Sequence, residues 1–388
     1  MKLAIPRERR AGETRVAAVP ETVKKLLGLG LTEPQVVVET GAGAGASIPD
    51  QAFSDAGATI AQSYKETVAG ADVVLKVNRP VTAGEDAEAD ELADLPKGAV
   101  VIAVFDVWQA GGAIQACADA GVHAFAMDLM PRITRAQAMD VLSSQANLAG
   151  YRAVIDSAHQ FGRAFPLMMT AAGTVPPARV LVMGAGVAGL QAIATAGRMG
   201  ASVSATDVRP AAKEQVESLA AKFVAVEDEE FKEAESAGGY AKEMSDAYKQ
   251  KQAQLIAETV PKQDIVITTA QVPGRKAPQL VSAEMVASMK PGSVIADLAA
   301  GQGGNVALTE PGSVSVQHGV TILGHTNWPA RIPVSASSLY ARNLVSFLKL
   351  MVAEDGGLSP DGEDQLLTGT RLTGGGRIVH PDFQPSGG

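Results

Sequence analysis

A glycine-rich hexapeptide, GAGVAG at residues 184–189, constrains the fold of this 388-residue chain more than any other feature. It directly follows the apolar run RVLVM and directly precedes a segment with apolar residues at helical spacing. Asp207 ends the next apolar run, SVSATD. A strand, a G-x-G-x-x-G turn, a helix and an acidic residue after the next strand together predict a dinucleotide-binding βαβ unit.

Each glycine of the hexapeptide has its own expected role. Gly184 permits the tight turn, Gly186 lets the backbone approach a pyrophosphate, and Gly189 lets the helix pack closely on the strand. The helix N-terminus would then point at the phosphates. Asp207 would accept hydrogen bonds from the adenosine ribose and repel a 2′-phosphate, which favours NAD(H), whereas Arg209 is able to accommodate that phosphate. The alternative is that the glycines make only a tight turn and that Asp207 caps a helix.

The rest of the chain alternates short apolar runs with amphipathic segments, which predicts an α/β protein with parallel sheets. The runs are rich in Val and Ile and scarcely alternate with polar residues, as expected where helices cover both faces of a sheet. The candidate strands are 2–6, 36–40, 73–77, 100–105 and 123–128, followed by 179–184, 202–207, 222–226, 264–270, 293–299 and 320–324. The last six fit the doubly wound dinucleotide-binding plan.

The length of the chain suggests two domains. A stretch with few helix breakers begins near Ala136, and we predict that it forms a connecting helix at 136–163. The long helical pattern after Pro333 is not needed to complete six strands, so we expect it to return to the first domain. The predicted domains are 1–135 with 333–388, and an NAD(H)-binding domain at 140–330.

The composition excludes several classes of protein. With 33 basic and 42 acidic side chains, the chain is a poor candidate for nucleic-acid binding, which requires a clustered basic face. The only cysteine, Cys117, lies in an Ala-rich helical pattern and is interpreted as core filler in a reducing, cytosolic compartment. The five histidines show no ligand spacing, so no metal site is expected. No uninterrupted apolar window of about 18 residues predicts a membrane span.

The segment PRITRAQAMDVLSSQ places Arg132, Gln137, Asp140 and Ser143 at the predicted domain junction. The last three are spaced by three residues, so on a helix they would share roughly one face. One interpretation is helix capping and surface polarity. The other is the wall of a cofactor cleft, because cofactor sites favour domain interfaces.

The charged segment 227–252 interrupts the rhythm of strands. Its charge alone predicts a solvated surface helix. The embedded Gly238-Gly239-Tyr240 instead indicates a lid, in which two hinge-capable glycines deliver an aromatic side chain to a site.

A second glycine-rich run, GAGAGA at 41–46, follows the apolar run VVVET. It lacks a third glycine at the right spacing and does not lead directly into a helix, so we predict a flexible connecting loop.

Long motifs in the chain resemble one known family. The NAD(H)-binding alpha subunits of proton-translocating NAD(P) transhydrogenases have motifs similar to MKLAIPRERRAGETRVAAVPETVKKL, MPRITRAQAMDVLSSQANLAGYRAVI, MMTAAGTVPPARVLVMGAGVAGLQAIATA, AGGYAKEM and TTAQVPGRKAP. The resemblance runs over nearly the whole chain. It implies two Rossmann-like doubly wound domains with a cofactor cleft between them, and a homodimer.

The resemblance also implies a reaction. NADH on the second domain would give a hydride directly to NADP⁺ on a separate beta subunit, with coupling to proton translocation by membrane subunits that include a membrane-spanning second alpha polypeptide. This chain would have no membrane span of its own. It would be cytoplasmic and held at the inner face of the cell membrane by its partners. Such a transfer needs positioning but no general acid or base.

The resemblance assigns roles to individual residues. Those expected to position the nicotinamide are Arg132, Gln137, Asp140, Ser143 and Tyr240. Those expected to contact the cofactor are Arg132, Ile133, Thr134, Arg135, Gln137, Gly184, Gly186, Val187, Gly189, Asp207, Val208, Arg209, Gly239, Gln252 and Gln271. Gln271 departs from the leucine expected at its position.

The alternative enzyme is alanine dehydrogenase, which this chain also resembles in its architecture. Arg15 and Lys76 match its substrate contacts, but its catalytic histidine belongs in VIAVFDVWQA, which has none, and Gly301 stands in place of its catalytic aspartate. Imine reduction needs a proton donor and a group that orients ammonia. We therefore interpret Arg15 and Lys76 as inherited structural residues. A non-catalytic NAD(H)-sensing module is a further alternative.

Overall fold

Two units make up the chain. The computed structural model describes residues 1–85, 90–232, 245–272 and 274–384. The first unit is Met1–Gln145 with Ala330–Gly388, and the second is Ala146–Pro329. The first unit is therefore assembled from two separate stretches of chain, while the second is continuous.

The elements alternate between strands and helices along most of the chain. The strands are β1 (Lys2–Ile5), β2 (Gln35–Glu39), β3 (Thr59–Ala61), β4 (Val73–Asn78), β5 (Val100–Val104), β6 (His123–Ala126), β7 (Met168–Thr170), β8 (Gly173–Val175), β9 (Arg179–Met183), β10 (Ser202–Thr206), β11 (Lys222–Phe223), β12 (Ile265–Thr268), β13 (Val294–Asp297), β14 (Val314–Gln317), β15 (Val320–Leu323), β16 (Thr373–Gly374) and β17 (Arg377–Ile378). The α-helices are α1 (Pro20–Leu27), α2 (Asp50–Asp55), α3 (Tyr64–Val68), α4 (Ala113–Asp119), α5 (Val141–Gln160), α6 (Val187–Arg198), α7 (Ala212–Ser218), α8 (Glu229–Lys232), α9 (Asp246–Thr259), α10 (Ala283–Ser288), α11 (Pro333–Leu348) and α12 (Gln365–Thr368). Among the described residues, none of these helices is both long enough and apolar enough to cross a membrane.

The first unit contains a six-stranded parallel sheet in the order β3-β2-β1-β4-β5-β6. The strand order reverses at β1, so the sheet is doubly wound, as predicted. Leu3 and Ile5 of β1 belong to one apolar core and Ala4 belongs to another. Both faces of the sheet are therefore buried, which explains its apolar strands. Strand β3 was not predicted, because its three residues are too few to form an apolar run.

The second unit contains a seven-stranded sheet in the order β11-β10-β9-β12-β13-β15-β14. Six of its strands are parallel and match the six candidates in the sequence, which confirms the doubly wound prediction. Strand β14 was not predicted. It lies antiparallel at the edge, where Val314 and Val316 are exposed.

The predicted strand 222–226 is shorter than expected. Beyond β11 the amide of Val224 still donates to Ala205, but the amide of Val226 donates to the side chain of Gln252 at 2.9 Å. A side chain thus takes the place of the neighbouring strand, and the ladder ends.

The connecting helix also differs from its prediction. Residues Thr134–Met139 form a 3-10 helix, and α5 begins only at Val141. Asp140 separates the two, because its backbone is extended and its carboxylate accepts a hydrogen bond from the amide of Ser143 at 2.9 Å. The prediction of a continuous helix over 136–163 is therefore wrong, and the division between the units falls inside α5.

The C-terminal stretch completes the first unit. Helix α11 carries Tyr340, whose buried hydroxyl donates to the carbonyl of Lys76 at 2.8 Å. It also carries Phe347, whose ring centroid lies 5.8 Å from that of Phe125. Both aromatic residues of α11 belong to the apolar core that contains Leu3.

The glycine-rich run at 41–46 is a tightly packed turn. Ala44–Ala46 forms a 3-10 helix. A Cβ atom at Gly45 would lie 2.5 Å from the carbonyl oxygen of Thr14, and one at Gly43 would lie 2.6 Å from that of Ile48. These glycines serve close packing and not the flexible loop that the sequence predicted.

Cys117 lies in α4 and is buried. Burial raises the pKa of its thiol to about 12. The thiolate is therefore scarce at neutral pH, and the prediction that this residue is core filler is confirmed.

The first unit buries several charged side chains that pair with one another. The ammonium of Lys76, 1% exposed, lies 2.9 Å from the carboxylate of Glu91 and 3.6 Å from that of Glu8. Arg15 donates two hydrogen bonds to the carboxylate of Glu13, at 2.6 and 2.8 Å. Burial favours the neutral form of Glu13, but the hydrogen bonds from Arg15 outweigh it and lower its pKa to about 2. These contacts fit the structural role predicted for Arg15 and Lys76.

We predict that Glu91→Gln destabilises the protein by ~3 kcal/mol, because removing one partner of a buried ion pair leaves the other charge poorly compensated. Denaturant unfolding followed by circular dichroism measures the change. The matched control is Glu21→Gln, which removes an exposed carboxylate from Lys25 and Arg342 and should change the midpoint little. Equal shifts for the two variants would contradict the structural role of the Lys76 pair.

Candidate functional site

The dinucleotide turn predicted at 184–189 connects β9 to α6. Gly184 adopts a φ of +104°, a conformation that L side chains rarely adopt, so the tight turn is present as predicted. The hydroxyl of Thr269, just after β12, donates to the carbonyl of Gly184 at 3.1 Å. A Cβ atom at Gly184 would lie 2.5 Å from that hydroxyl. The turn is therefore supported from the neighbouring strand.

The third glycine lets α6 pack against the turn. A Cβ atom at Gly189 would lie 1.8 Å from the carbonyl oxygen of Gly184, a distance that no side chain permits. A second close approach lies on α5, where a Cβ atom at Gly150 would lie 2.0 Å from the carbonyl oxygen of Ala188. Glycine at 150 and 189 thus fixes where α6 begins.

The N-terminus of α6 fits a dinucleotide pyrophosphate. No side chain caps this end, and the first amides of an α-helix have no partner within the helix. A Cβ atom at Gly186 would meet nothing within 4 Å, so the turn is open on that side. Free amides beside open space, at the positive end of a helix, suit a phosphate group. Val187, the first residue of α6, is 43% exposed beside this opening.

Asp207 and Arg209 follow β10 and form an ion pair. Arg209 donates from Nε and Nη2 to the two carboxylate oxygens of Asp207, at 2.9 and 3.0 Å. The amide of Ala185, in the turn, donates to the same carboxylate at 2.7 Å. Burial would raise the pKa of Asp207, but these hydrogen bonds outweigh it and hold the pKa below its usual value. Asp207 therefore stays ionised and is tied to the turn, and it does not act as a helix cap.

Three other candidates of the second unit lie at the carboxyl ends of its strands. Gln252 donates to the hydroxyl of Thr206 at 3.1 Å, next to Asp207. Val208 is 59% exposed. Gln271 donates to the carbonyl of Leu298 at 2.9 Å, so here the unexpected glutamine links the ends of β12 and β13.

The candidates of the segment PRITRAQ belong to the first unit. Arg132, Ile133, Thr134, Arg135 and Gln137 are exposed, while Ala136 and Met139 are buried and anchor the segment. Arg135 is paired with Asp364, with two hydrogen bonds at 2.6 and 2.8 Å.

Asp140 and Ser143 do not share a helix face with Gln137. Gln137 lies in the 3-10 helix, whereas Asp140 is extended and Ser143 lies in the first turn of α5. Both the amide and the hydroxyl of Ser143 donate to the carboxylate of Asp140. The predicted single face is therefore wrong, and the Asp140 carboxylate caps the first turn of α5. Tyr240 and Gly239, the candidates of the predicted lid, lie outside the described residues.

Sequence reasoning missed three polar residues near the second-unit candidates. They are Thr269, which supports the turn, and Asp297 and Asn305, which are fully buried. An aspartate inside the apolar run SVIADLA was the available signal, because an unpaired carboxylate there would be costly. In the described ranges, no group of three or more His, Cys, Asp or Glu side chains is arranged to hold a metal ion.

Comparisons with known proteins cover almost the whole chain. The family model "Alanine dehydrogenase/PNT, N-terminal domain" matches residues 4–149, and "Alanine dehydrogenase/PNT, C-terminal domain" matches residues 153–381. The first part of NAD(P) transhydrogenase subunit alpha from Rhodospirillum rubrum is 56% identical over 388 residues, covering 100% of both chains.

A solved structure and a more distant relative complete the comparison. A structure described as transhydrogenase from Sinorhizobium meliloti is 55% identical, with a TM-score of 0.87 over 98% of this chain and 100% of that one. Alanine dehydrogenase of Mycobacterium tuberculosis is 30% identical over 346 residues, which is 87% of this chain and 84% of the relative. The chain therefore belongs to the alanine dehydrogenase/PNT family and, within it, groups with the alpha subunits of NAD(P) transhydrogenase.

Proposed function

We propose that this protein is the NAD(H)-binding component of a proton-translocating NAD(P) transhydrogenase, and that hydride passes directly to NADP⁺ on a beta subunit. The observation that carries the proposal is the open, uncapped end of α6 beside the ionised Asp207, in a chain that matches a transhydrogenase alpha subunit along its full length. The open turn suits a pyrophosphate, and the carboxylate suits an unphosphorylated ribose.

In this proposal the residues of the chain bind and orient, and they move no proton. Gly184, Gly186, Val187 and Gly189 form the turn that holds the pyrophosphate at the N-terminus of α6, where the first amides of the helix donate to it. The amide of Gly184 itself is bound to the carbonyl of Thr206 and shapes the turn. Asp207 accepts hydrogen bonds from the adenosine ribose. Bound NADH supplies the hydride from C4 of its nicotinamide. The remaining contacts are proposed for Val208, Arg209, Gln252 and Gln271 on the second unit, and for Arg132, Ile133, Thr134, Arg135, Gln137, Asp140 and Ser143 on the first.

The partners follow from the same proposal. The chain would form a homodimer and join a membrane-spanning second alpha polypeptide and an NADP(H)-binding beta subunit, which together couple hydride transfer to proton translocation. Those partners would hold it on the cytoplasmic face of the membrane. Tyr240 and Gly239 are proposed to close over the nicotinamide.

Alanine dehydrogenase chemistry is disfavoured by the charges of the first unit. The two cations that match its substrate contacts, Arg15 and Lys76, are already bound by Glu13 and Glu91. A cavity of about 250 Å³ beside Arg15 is also lined by Glu13, whose carboxylate neutralises the Arg15 charge that an anionic substrate would need there.

Reconstitution with an NADP-loaded beta component tests the proposal. We expect hydride transfer between NADH and an NADP analogue, measured by absorbance, and no alanine formation from pyruvate and ammonia by the chain alone. An NAD(H)-sensing module would bind NADH but give no transfer. Substantial formation of alanine would overturn the proposal in favour of amino-acid chemistry.

We predict that Asp207→Asn raises the affinity for NADPH relative to NADH by about tenfold or more. The substitution removes the repelling charge and releases the Arg209 guanidinium, and a charge-assisted hydrogen bond is worth ~1.5–3 kcal/mol. Calorimetric titration with both dinucleotides measures the ratio. The double variant Asp207→Asn with Arg209→Ala separates the two effects, because it lacks the released guanidinium. An unchanged ratio in the single variant would refute the role of Asp207.

We predict that Gln137→Asn lowers the rate of hydride transfer by up to about 100-fold, because small misplacement of reacting groups is costly, while NADH affinity changes little. Gln137 is exposed, so the fold should tolerate the shorter side chain. Gln51→Asn, at an exposed glutamine of α2, is the control. A parallel loss of rate and affinity would show that Gln137 is simply a binding contact.

A further inference from the structure

A buried polar cluster lies where β12 and β13 end. Thr268 is the last residue of β12 and Asp297 is the last residue of β13. Both are fully buried, as is Asn305 in the loop that follows β13. Polar groups this deep are kept only where they are fully hydrogen-bonded, so their partners reveal what they hold in place.

The carboxylate of Asp297 accepts hydrogen bonds from both ends of this loop. One oxygen accepts from the Thr268 hydroxyl at 3.1 Å and the Ala299 amide at 3.0 Å. The other accepts from the amides of Asn305 and Val306, at 2.9 and 3.1 Å, and from the Thr309 hydroxyl at 2.8 Å; all five donors are neutral. The carboxylate therefore closes the loop 299–305 onto the end of the sheet.

Asn305 connects that loop to the segment after β12. Its side-chain oxygen accepts from the amide of Ala270 at 3.1 Å, and its side-chain nitrogen donates to the carbonyls of Ala270 and Pro278, at 2.8 and 2.7 Å. Its backbone carbonyl accepts from the amides of Leu280 and Val281, at 2.7 and 3.0 Å. One side chain thus fixes two loops that are far apart in sequence.

The two glycines before Asn305 are required by the same packing. Gly304 has a φ of +75°, and a Cβ atom there would lie 2.9 Å from the Asp297 carboxylate. Gly303 has a φ of +92°, and a Cβ atom there would lie 2.8 Å from the Lys276 side chain. Both glycines therefore adopt a backbone conformation that L side chains rarely take, and at Gly304 a side chain would also crowd the Asp297 carboxylate.

These loops lie on the side of the sheet where the nicotinamide half of a dinucleotide would bind. In a doubly wound sheet the two nucleotide halves lie on opposite sides of the point where strand order reverses. Asp207 follows β10 and marks the adenosine half. The loops that follow β12 and β13 lie across that reversal point, on the side left for the nicotinamide half.

We propose that Asp297 and Asn305 are positioning residues that hold loops 269–272 and 299–305 as one rigid rim on the nicotinamide half of the site. This rests on the proposed function, in which orientation of the nicotinamide is the whole of the catalytic task. The rim sets that orientation, while the turn at 184–189 supplies affinity for the rest of the dinucleotide. The link from Gln271 to Leu298 joins the same two loops.

The test uses the full chain in two variants that weaken the rim differently. Asn305→Asp keeps the size of the side chain but loses both of its donated hydrogen bonds. Thr309→Val removes one donor to Asp297 without changing the shape, and Thr309→Ser restores the hydroxyl. Val260→Ala is the stability control, because Val260 is buried in the 3-10 helix that precedes β12, whereas the rim follows the other end of that strand.

Two measurements are made on each variant. Calorimetry compares affinity for NADH with affinity for ADP-ribose, which lacks the nicotinamide. Reconstitution with the NADP-loaded beta component gives kcat and KM for hydride transfer. We expect Asn305→Asp and Thr309→Val to lower kcat by about tenfold or more, to weaken NADH binding and to leave ADP-ribose binding unchanged. Thr309→Ser and Val260→Ala should behave like the parent chain.

Other results would overturn the inference. If Asn305→Asp weakens NADH and ADP-ribose equally, or if Thr309→Val matches Thr309→Ser in kcat, the cluster only supports the fold. Should Asn305→Asp fail to fold, the Thr309 pair decides by itself. The two proposals fail separately: absence of hydride transfer in the unsubstituted chain refutes the proposed function, whereas the NADH and ADP-ribose comparison still tests the rim.

Discussion

The architecture of the second unit depends on one close approach of two backbones. The carbonyl oxygen of Gly184 occupies the space in which a side chain at Gly189 would begin. This contact lets α6 start directly at the end of β9, leaves its first amides open beyond Gly186, and brings the Ala185 amide within hydrogen-bond range of Asp207. The close approach of Gly184 and Gly189 therefore fixes where α6 begins. The open turn and the hydrogen bond that holds Asp207 both depend on that position.

The six parallel strands of the first unit are ordered like the six parallel strands of the second, but the first unit is held by charge pairs where the second is held by close glycine contacts. Its strand ends are surrounded by ion pairs, including Arg15 with Glu13 and Lys76 with Glu91, which are satisfied within the unit. The chain shares its family with alanine dehydrogenases, and a shared fold does not fix the chemistry, which depends on the groups in the site. In this chain the carboxylates already occupy the cations, which supports the proposal that the protein orients a dinucleotide and does not bind an amino-acid substrate.

Features that leave a clear apolar or glycine pattern in the sequence were predictable, and features that leave none were missed. The turn at Gly184 and the six parallel strands of the second unit follow from spacing and apolar runs. Strand β3 is too short to give such a run, and β14 shows only the alternation of an exposed edge. Asp140 interrupts a helical pattern through its own carboxylate, which spacing does not reveal. Asp297 and Asn305 connect loops from different strands, and only the folded chain brings their partners together.

The return of α11 to the first sheet has a consequence for biosynthesis. A ribosome releases the chain from its N-terminus, so all of the second unit emerges before Tyr340 and Phe347 do. Until then the six strands of the first sheet lack the helix that covers one of their faces, and Leu3 and Ile5 lie in an unfinished core. The second unit can thus fold while the first unit on the same nascent chain still lacks α11, and the unfinished apolar core of the first unit is the part open to aggregation and to chaperones.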